Sequence, residues 1–400
     1  MTHNRIVIVG GGIAGLAAAF ACARQAQAVH VLERADRFGE VGAGIQLGPN
    51  VTRILQGWGL ADALSAVAAF PARLVVRSAL TARELAAREL GESIREQYGA
   101  PYATVHRADL HRLLLDAVQA QGLASLALGR EMRQFVASES GVDVQVADGE
   151  PLQADILLGA DGLWSPVRRR LLDDGAPTPT GHLAYRAMVR QSDLPAALRS
   201  EQVTVWLGPQ MHVVQYPVRG GQWLNVVAIV EGQPDWLQAA NATPGQLANW
   251  NQQADVAQLR SVLVGCCAPL RDLVGAIDAW RLWVLCDRAP MDGPREHAVG
   301  RVALIGDAAH PMRPYLAQGA GMAIEDGAAL GAVLADPTRP AAAALQSFAD
   351  QRWQRNRRVQ LQARRNGSIF HARGALRWGR DAAMVLLGER LLDQPWLYRG

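Results

Sequence analysis

Six residues near the start of the chain, Gly10-Gly11-Gly12-Ile13-Ala14-Gly15, follow the apolar run Ile6–Val9 and open a helical pattern. The spacing is G-x-G-x-x-G. Gly10 permits a tight turn, Gly12 lets the backbone approach a pyrophosphate, and Gly15 allows a helix to pack closely on its strand. The exposed N–H groups and dipole of that helix favour an anion. Glu33 ends the next apolar run, close to the offset of about 20 residues expected of an acid that binds ribose hydroxyls. Ala14 and Arg34 fall beside these positions as further cofactor contacts. A second loop of similar grammar lies nearly the whole chain away, in RVALIGDAAHPMRPYLAQGAGMAIED, Arg301 to Asp326. The apolar run Val302–Ile305 ends in Gly306-Asp307. Two prolines follow, and Gln318-Gly319-Ala320-Gly321 then opens a helix.

One extended ligand accounts for both loops. A nicotinamide dinucleotide alone leaves the second unexplained, whereas FAD can place its ADP moiety at Gly10 to Glu33 and its ribityl-flavin end at Asp307 to Gly321. An aspartate after a strand can accept hydrogen bonds from ribityl hydroxyls. The N–H dipoles at Gln318, Gly319, Ala320 and Gly321 would face a ring that gains negative charge on reduction. Other cofactor classes are excluded by an absence. All 40 basic residues are Arg, so Schiff-base chemistry, pyridoxal phosphate attachment and a P-loop lysine have no residue to use. Cys22, Cys266, Cys267 and Cys286 form neither a C-x-x-C pair nor a metal-ligand spacing, and read as reduced thiols of a cytoplasmic protein.

The elements that must position these groups follow from periodicity. Residues 5–33 read as strand, helix, strand of parallel type. His106 to Gln121 reads as a helix, and GVDVQVADG and ADILLGADG as strands, the second ending at Asp161-Gly162. From about residue 180 the pattern changes to alternating runs (QVTVWLG, MHVVQYPV, WLNVVAIVEG) with a hairpin at Gly220-Gly221. Parallel grammar returns at RVALIGD, and mainly helical sequence follows. The fold class is therefore α/β: a Rossmann-like FAD-binding domain (1–70, 100–177 and 288–335), an inserted mixed, largely antiparallel sheet substrate domain (71–99 and 178–287), and C-terminal helices (336–400). At 400 residues, half of them hydrophobic and with a formal net charge of +3, this is a soluble globular chain with neither a nucleic-acid stripe nor a membrane span. The densest basic groups, Arg168 to Arg170 and Arg352 to Arg358, are expected to be solvated helix faces. Phe370 to Leu392 reads as one amphipathic basic helix, packed on the protein or forming a dimer contact, so the chain is expected to be a monomer or homodimer.

With those motifs in hand, the chain resembles the single-component, FAD-dependent aromatic hydroxylases, closest to the salicylate, 3-hydroxybenzoate and 6-hydroxynicotinate hydroxylase branch. The matching segments are the glycine fingerprint with Glu33, HRADL with Arg107, GADGLWSPVR with Asp161 and Gly162, the Asp307 segment, and WLY near Trp396. The resemblance implies that Arg107 contacts FAD, that the Asp161 motif serves both FAD and the pyridine nucleotide, and that Asp307 holds the ribityl chain. It also implies NADH or NADPH as a transient donor, O2 as oxidant, a flavin C4a-hydroperoxide as oxygenating species, and a small aromatic substrate. The substrate face would come from MHVVQYPV, where period two puts Met211, Val213 and Gln215 on one side and His212, Val214 and Tyr216 on the other. Relatives often carry His or Tyr where Gln215 stands, and some carry His where Gln46 stands. Gln cannot take a phenolic proton. The expectation is thus a neutral pocket with Gln215 and Gln46 at the substrate and no base at these two positions: either the substrate arrives already activated, or another residue such as His212, Tyr216 or Tyr185 supplies the base. An epoxidase or other flavin oxidoreductase on this scaffold, or a non-catalytic flavin-binding redox protein, remains as an alternative.

Overall fold

The computed structural model describes residues 4–39, 43–234, 244–249 and 252–399. They pack as two compact units. One comprises 1–40, 108–178 and 287–364, the other 41–107, 179–286 and 365–400. In this division residues 43–70 and 100–107 fall in the second, sheet-rich unit, and the C-terminal region is shared between the two.

The first unit is built on a six-stranded sheet in the order Ala298–Val299, Val302–Leu304, Ile156–Gly159, Arg5–Val9, Ala28–Leu32, Ala124–Ala127. The pairings on either side of Arg5–Val9 are parallel, as is that between Ile156–Gly159 and Val302–Leu304. Four of the five residues of Arg5–Val9 and all of Ile156–Gly159 are buried, as befits a parallel sheet covered on both faces. Helix Ile13–Ala23 is buried almost all round. Its small side chains let helix Gly319–Val333 lie directly on it, and a Cβ on Gly327 would stand 2.8 Å from the Ala17 backbone. A separate three-stranded sheet (Met132–Ala137, Val142–Val146, Leu152–Ala154) completes the strands of this unit.

The second unit carries an eight-stranded mixed sheet in the order Gln252–Gln253, Arg281–Asp287, Thr178–Arg190, Trp223–Glu231, Met211–Val218, Val203–Gly208, Arg73–Ser78, Glu84–Glu89. Only the pairing of Val203–Gly208 with Arg73–Ser78 is parallel among those whose register is defined. Gly220 and Gly221, at φ of 62° and 84°, make the expected hairpin turn. Residues directly opposite each other in a ladder share a face. Tyr185, Ala228, Val213 and Trp206 thus lie on one face, in a core with Leu259, Leu263, Leu270 and Leu273. Helix Val256–Val262 with its C-cap Leu263, and helix Ala268–Gly275, supply those leucines.

The single helix expected over Phe370 to Leu392 is not formed. Helix Ala341–Phe370 ends at its first residue, a new helix runs Gly374–Leu387, and a short one follows over Glu389–Leu392. Gly374 and Gly388 both have positive φ, which breaks the helix on either side of the central segment. No helix among the described residues is long and apolar enough to cross a membrane.

Candidate functional site

In the first unit, strand Arg5–Val9 delivers the chain to Gly10 at φ 107°, where a Cβ would stand 2.4 Å from the Ala160 carbonyl oxygen. Only glycine turns here and still packs on that backbone. Gly12 is the N-cap of helix Ile13–Ala23 and has no side chain to satisfy the first-turn N–H groups, which is the arrangement an anion uses. Glu33 closes the loop from the other side. Its carboxylate accepts from the Gly11 N–H at 2.8 Å and the Ala35 N–H at 2.9 Å. His111, on helix Arg107–Gln121, holds the Gly11 carbonyl through Nε2 at 2.7 Å. Sequence reasoning passed over His111, whose only signal is its place one helical turn beyond Arg107.

The second loop comes to the first. Gly306 sits at φ 56°, and a Cβ there would lie 2.7 Å from the Ala14 methyl. Gly306-Asp307 is thereby packed on the start of the fingerprint helix, with Asp307 half-buried. Helix Gly319–Val333 then begins from the buried Gln318, and Gly319 approaches the Asp307 carboxylate. Beneath the loop lies a charged network that sequence reasoning did not anticipate. Asp326, fully buried, accepts from the Gly306 N–H at 3.0 Å, from Arg352 Nε at 2.9 Å and from Asn356 Nδ2 at 3.2 Å, and it pairs with His310 Nε2. Burial pushes the Asp326 carboxyl upward, but His310 and Arg352 outweigh it and hold it well below the usual carboxylate range. Arg352 also binds Glu325 at 2.8 Å. Arg168 is equally buried, bonded to Asp174 at 2.6 Å and to the Ala308 and Ala309 carbonyls. The two arginine-rich stretches are therefore not simply solvated faces. Arg168 and Arg352 turn inward to brace the Asp307 loop, a role that needs the guanidinium fork.

These residues fit FAD by an observation independent of motif. Asp161 Oδ2 takes the Val167 N–H at 3.1 Å, but Oδ1 is buried with no hydrogen-bond partner among the described residues. Burial pushes this carboxyl up to about 6, with Ser165, Val167 and the Arg34 charge drawing it back. An acceptor left over beside two backbone loops is what a hydroxyl-bearing ligand completes. Gly10, Gly12, Ala14, Gly15, Glu33, Arg34, Asp161, Asp307 and Gln318 to Gly321 all belong to this one unit. Arg107 does not: it ends a segment of the second unit, its N–H on the Ala43 carbonyl at 2.8 Å.

The second unit separates the expected catalytic residues. Tyr216 and Gln215 lie on opposite faces of strand Met211–Val218. Gln215 pairs with Val226 and Thr204, on the face of the apolar core. Its Oε1 accepts from Trp206 Nε1 at 3.1 Å. Period two defined two faces, but the neighbours chose which became core, so the expectation that Gln215 meets the substrate is corrected. Tyr185 is on that core face too, its hydroxyl donating to Gln258 at 2.7 Å. Tyr216 faces the other side, where burial raises its phenol pKa and the neighbouring Gln46 and Arg186 oppose the shift. Gln46 accepts from the Tyr102 hydroxyl at 2.6 Å. Asn225, opposite Tyr216 in the ladder, accepts the Gly44 N–H at 2.7 Å and fixes the strand that carries Gln46. Arg186 shares this face and lies 5.2 Å from the centre of the Trp283 ring. Burial lowers its pKa to about 10; Arg107 adds to the shift and Tyr216 opposes it. His212 is on the Tyr216 face but four residues along the strand, where it bonds His371 at 2.8 Å. Asn225 carried a legible signal, a polar residue inside an otherwise apolar strand; Tyr102 carried none.

Known proteins resemble this chain over nearly its whole length. The family description "FAD binding domain" matches residues 3–363. A 3-hydroxybenzoate 6-hydroxylase of Polaromonas naphthalenivorans is 35% identical over 396 residues, covering 98% of this chain and 95% of its own. A 6-hydroxynicotinate 3-monooxygenase of Bordetella bronchiseptica is 33% identical over 359 residues, 89% of each chain. Klebsiella pneumoniae HpxO, solved with FAD and uric acid, superposes with a TM-score of 0.82 at 25% identity, covering 99% of this chain and 96% of its own.

Proposed function

The chain belongs to the FAD binding domain family and is an FAD-dependent aromatic monooxygenase; we propose that it hydroxylates a small hydroxylated aromatic or heteroaromatic anion at the expense of NAD(P)H and O2. The balance is ring C–H plus O2, NAD(P)H and a proton, giving ring C–OH, water and NAD(P)+. Bound FAD supplies the electron transfer to dioxygen and the delivery of one oxygen atom. The chain's own residues hold the cofactor and prepare the ring. Glu33 and the N–H groups after Gly12 would take the ADP end, Asp161 and Asp307 its hydroxyls, and the helix opening at Gly319 the flavin ring.

The observation that carries the substrate reading is the polar set on one face of the second unit's sheet. Burial pushes the Tyr216 phenol well above its usual range, with Gln46 and Arg186 drawing it partly back. Tyr216 therefore stays protonated at neutral pH and donates to a substrate oxygen rather than removing its proton. Gln46, already accepting from Tyr102, orients the same group through its amide. Arg186 offers a guanidinium in a poorly hydrated place, where a carboxylate or ring oxyanion is bound strongly. The relatives named for hydroxybenzoate and hydroxynicotinate support a substrate with both features.

The FAD-loaded protein is to be assayed for NADH and NADPH oxidation against hydroxybenzoates, hydroxypyridines and quinolones. At least one anionic, hydroxylated ring should accelerate nicotinamide oxidation and return a product carrying one atom of isotope-labelled dioxygen. Acceleration that yields only hydrogen peroxide with every compound would refute the assignment of hydroxylation to these substrates.

A further inference from the structure

At one end of the second unit's large sheet sits a cluster of side chains that the oxygenation does not use. His182 and Glu231 are opposite each other in the ladder between Thr178–Arg190 and Trp223–Glu231. His371 follows helix Ala341–Phe370. The His182 and His371 rings stack with centroids 4.9 Å apart and planes 16° apart, and His371 Nδ1 is 3.5 Å from Glu231 Oε1. One ligand atom from each of the three residues lies within 4.8 Å of the others.

Two of these groups are also oriented from behind. His371 Nε2 is 2.8 Å from His212 Nδ1, and the other Glu231 oxygen accepts from Gln210 Nε2 at 3.0 Å. When His371 Nε2–H donates to His212, the His371 Nδ1 lone pair is turned toward a carboxylate oxygen. Two electron-pair donors pointed together, each steadied through its far atom, is the arrangement seen around bound transition metals.

We propose that His182, Glu231 and His371 bind one divalent cation of the zinc class, with His212 and Gln210 as positioning residues. Metal–ligand bonds of about 2.0–2.2 Å require donors roughly 3.4 Å apart in a tetrahedron. Rotation of the half-exposed Glu231 and His182 closes the remaining distance, and water fills the fourth position. Arg380, which donates to the Phe370 carbonyl at 2.7 Å, is engaged by Asp381 at 2.8 Å. The buried cluster His297, His310 and Asp326 is a poorer host, because the Asp326 carboxylate already carries the Arg352 guanidinium. A bound ion would clip the turn at His371 onto the two strand ends.

The test uses untagged, FAD-loaded protein stripped with a chelator and titrated with Zn2+ against a chromophoric competitor. One Zn2+ per chain should bind, and Glu231→Gln and His182→Ala should each weaken it at least tenfold. Gln210→Ala should weaken it about tenfold. In wild type a hundredfold excess of Zn2+ over Kd should raise the thermal midpoint by about 5 °C, and in Glu231→Gln it should not. Glu231 is at the rim, so unchanged FAD absorbance in its variant separates loss of the ion from loss of fold. Absence of stoichiometric binding in wild type, or binding untouched by both Glu231→Gln and His182→Ala, would overturn the assignment.

Discussion

At the level of single residues, the two neighbours Gln215 and Tyr216 make the sharpest contrast. Tyr216→Phe removes a hydroxyl assigned to the substrate, and kcat/KM should fall roughly 10- to 100-fold, about 1.5–3 kcal/mol, with FAD content unchanged. Steady-state kinetics on the FAD-loaded variant checks this, and an unaltered kcat/KM would remove Tyr216 from the pocket. Gln215→Leu should do the reverse. It strands the Trp206 Nε1–H in an apolar core and should cost about 1–3 kcal/mol of stability in urea unfolding, while KM stays within twofold. The sequence announced both residues and their alternation. What it lacked was the sign of the alternation: the side that becomes interior is decided by leucines of two helices about fifty residues further on. The inward turn of Arg168 and Arg352 escaped notice for a related reason, because a guanidinium is read as solvated until its carboxylate and carbonyl partners are known.

At the level of elements, the glycine loops were legible because their chemistry is local: a strand end, a turn and a helix start are contiguous in the chain. Strands such as Met211–Val218 and Trp223–Glu231 were legible from their alternating, β-branched runs. The packing of helix Gly319–Val333 on helix Ile13–Ala23 was not legible, since small residues permit close approach without specifying the partner. That contact gives a prediction. Gly327→Val would force side-chain atoms into the Ala17 backbone, and separating the helices should cost about 1–3 kcal/mol. Because one helix begins in the fingerprint and the other at Gln318, FAD affinity should fall with stability. Flavin fluorescence on dilution measures it, and unchanged FAD retention would show that the two loops do not depend on this packing. The expected long helix over Phe370 to Leu392 failed where glycine at positive φ interrupts a good amphipathic pattern, and composition alone does not reveal such a break.

At the level of the whole molecule, stability should depend on pH through histidines buried in neutral form. Burial lowers the His297 pKa to about 4, with His310 adding to the shift and Asp326 opposing it. The unfolded chain takes up this proton near pH 6.5 and the folded chain does not until about 4. Stability is therefore full above 6.5 and is lost as pH falls toward 4. Between pH 6.5 and 5 the loss from this one residue is about 2 kcal/mol. Urea unfolding across that range should show the slope, and His297→Gln should flatten it; an equal slope in the variant would place the proton uptake elsewhere. The other whole-molecule feature is the order in which the chain visits its two units, crossing between them after residues 40, 107, 178, 286 and 364. Strand Arg5–Val9 and the fingerprint emerge early from the ribosome, yet Gly306, Gly327 and Arg352, which complete their surroundings, emerge some three hundred residues later. At roughly 5–20 residues per second, the fingerprint waits on the order of 15–60 seconds for these partners, and Ile156–Gly159 stands as an open sheet edge for about half that time before Val302–Leu304 covers it. Synthesis halted before residue 300 should yield chains that hold no flavin and need chaperone shelter, however intact their opening motif.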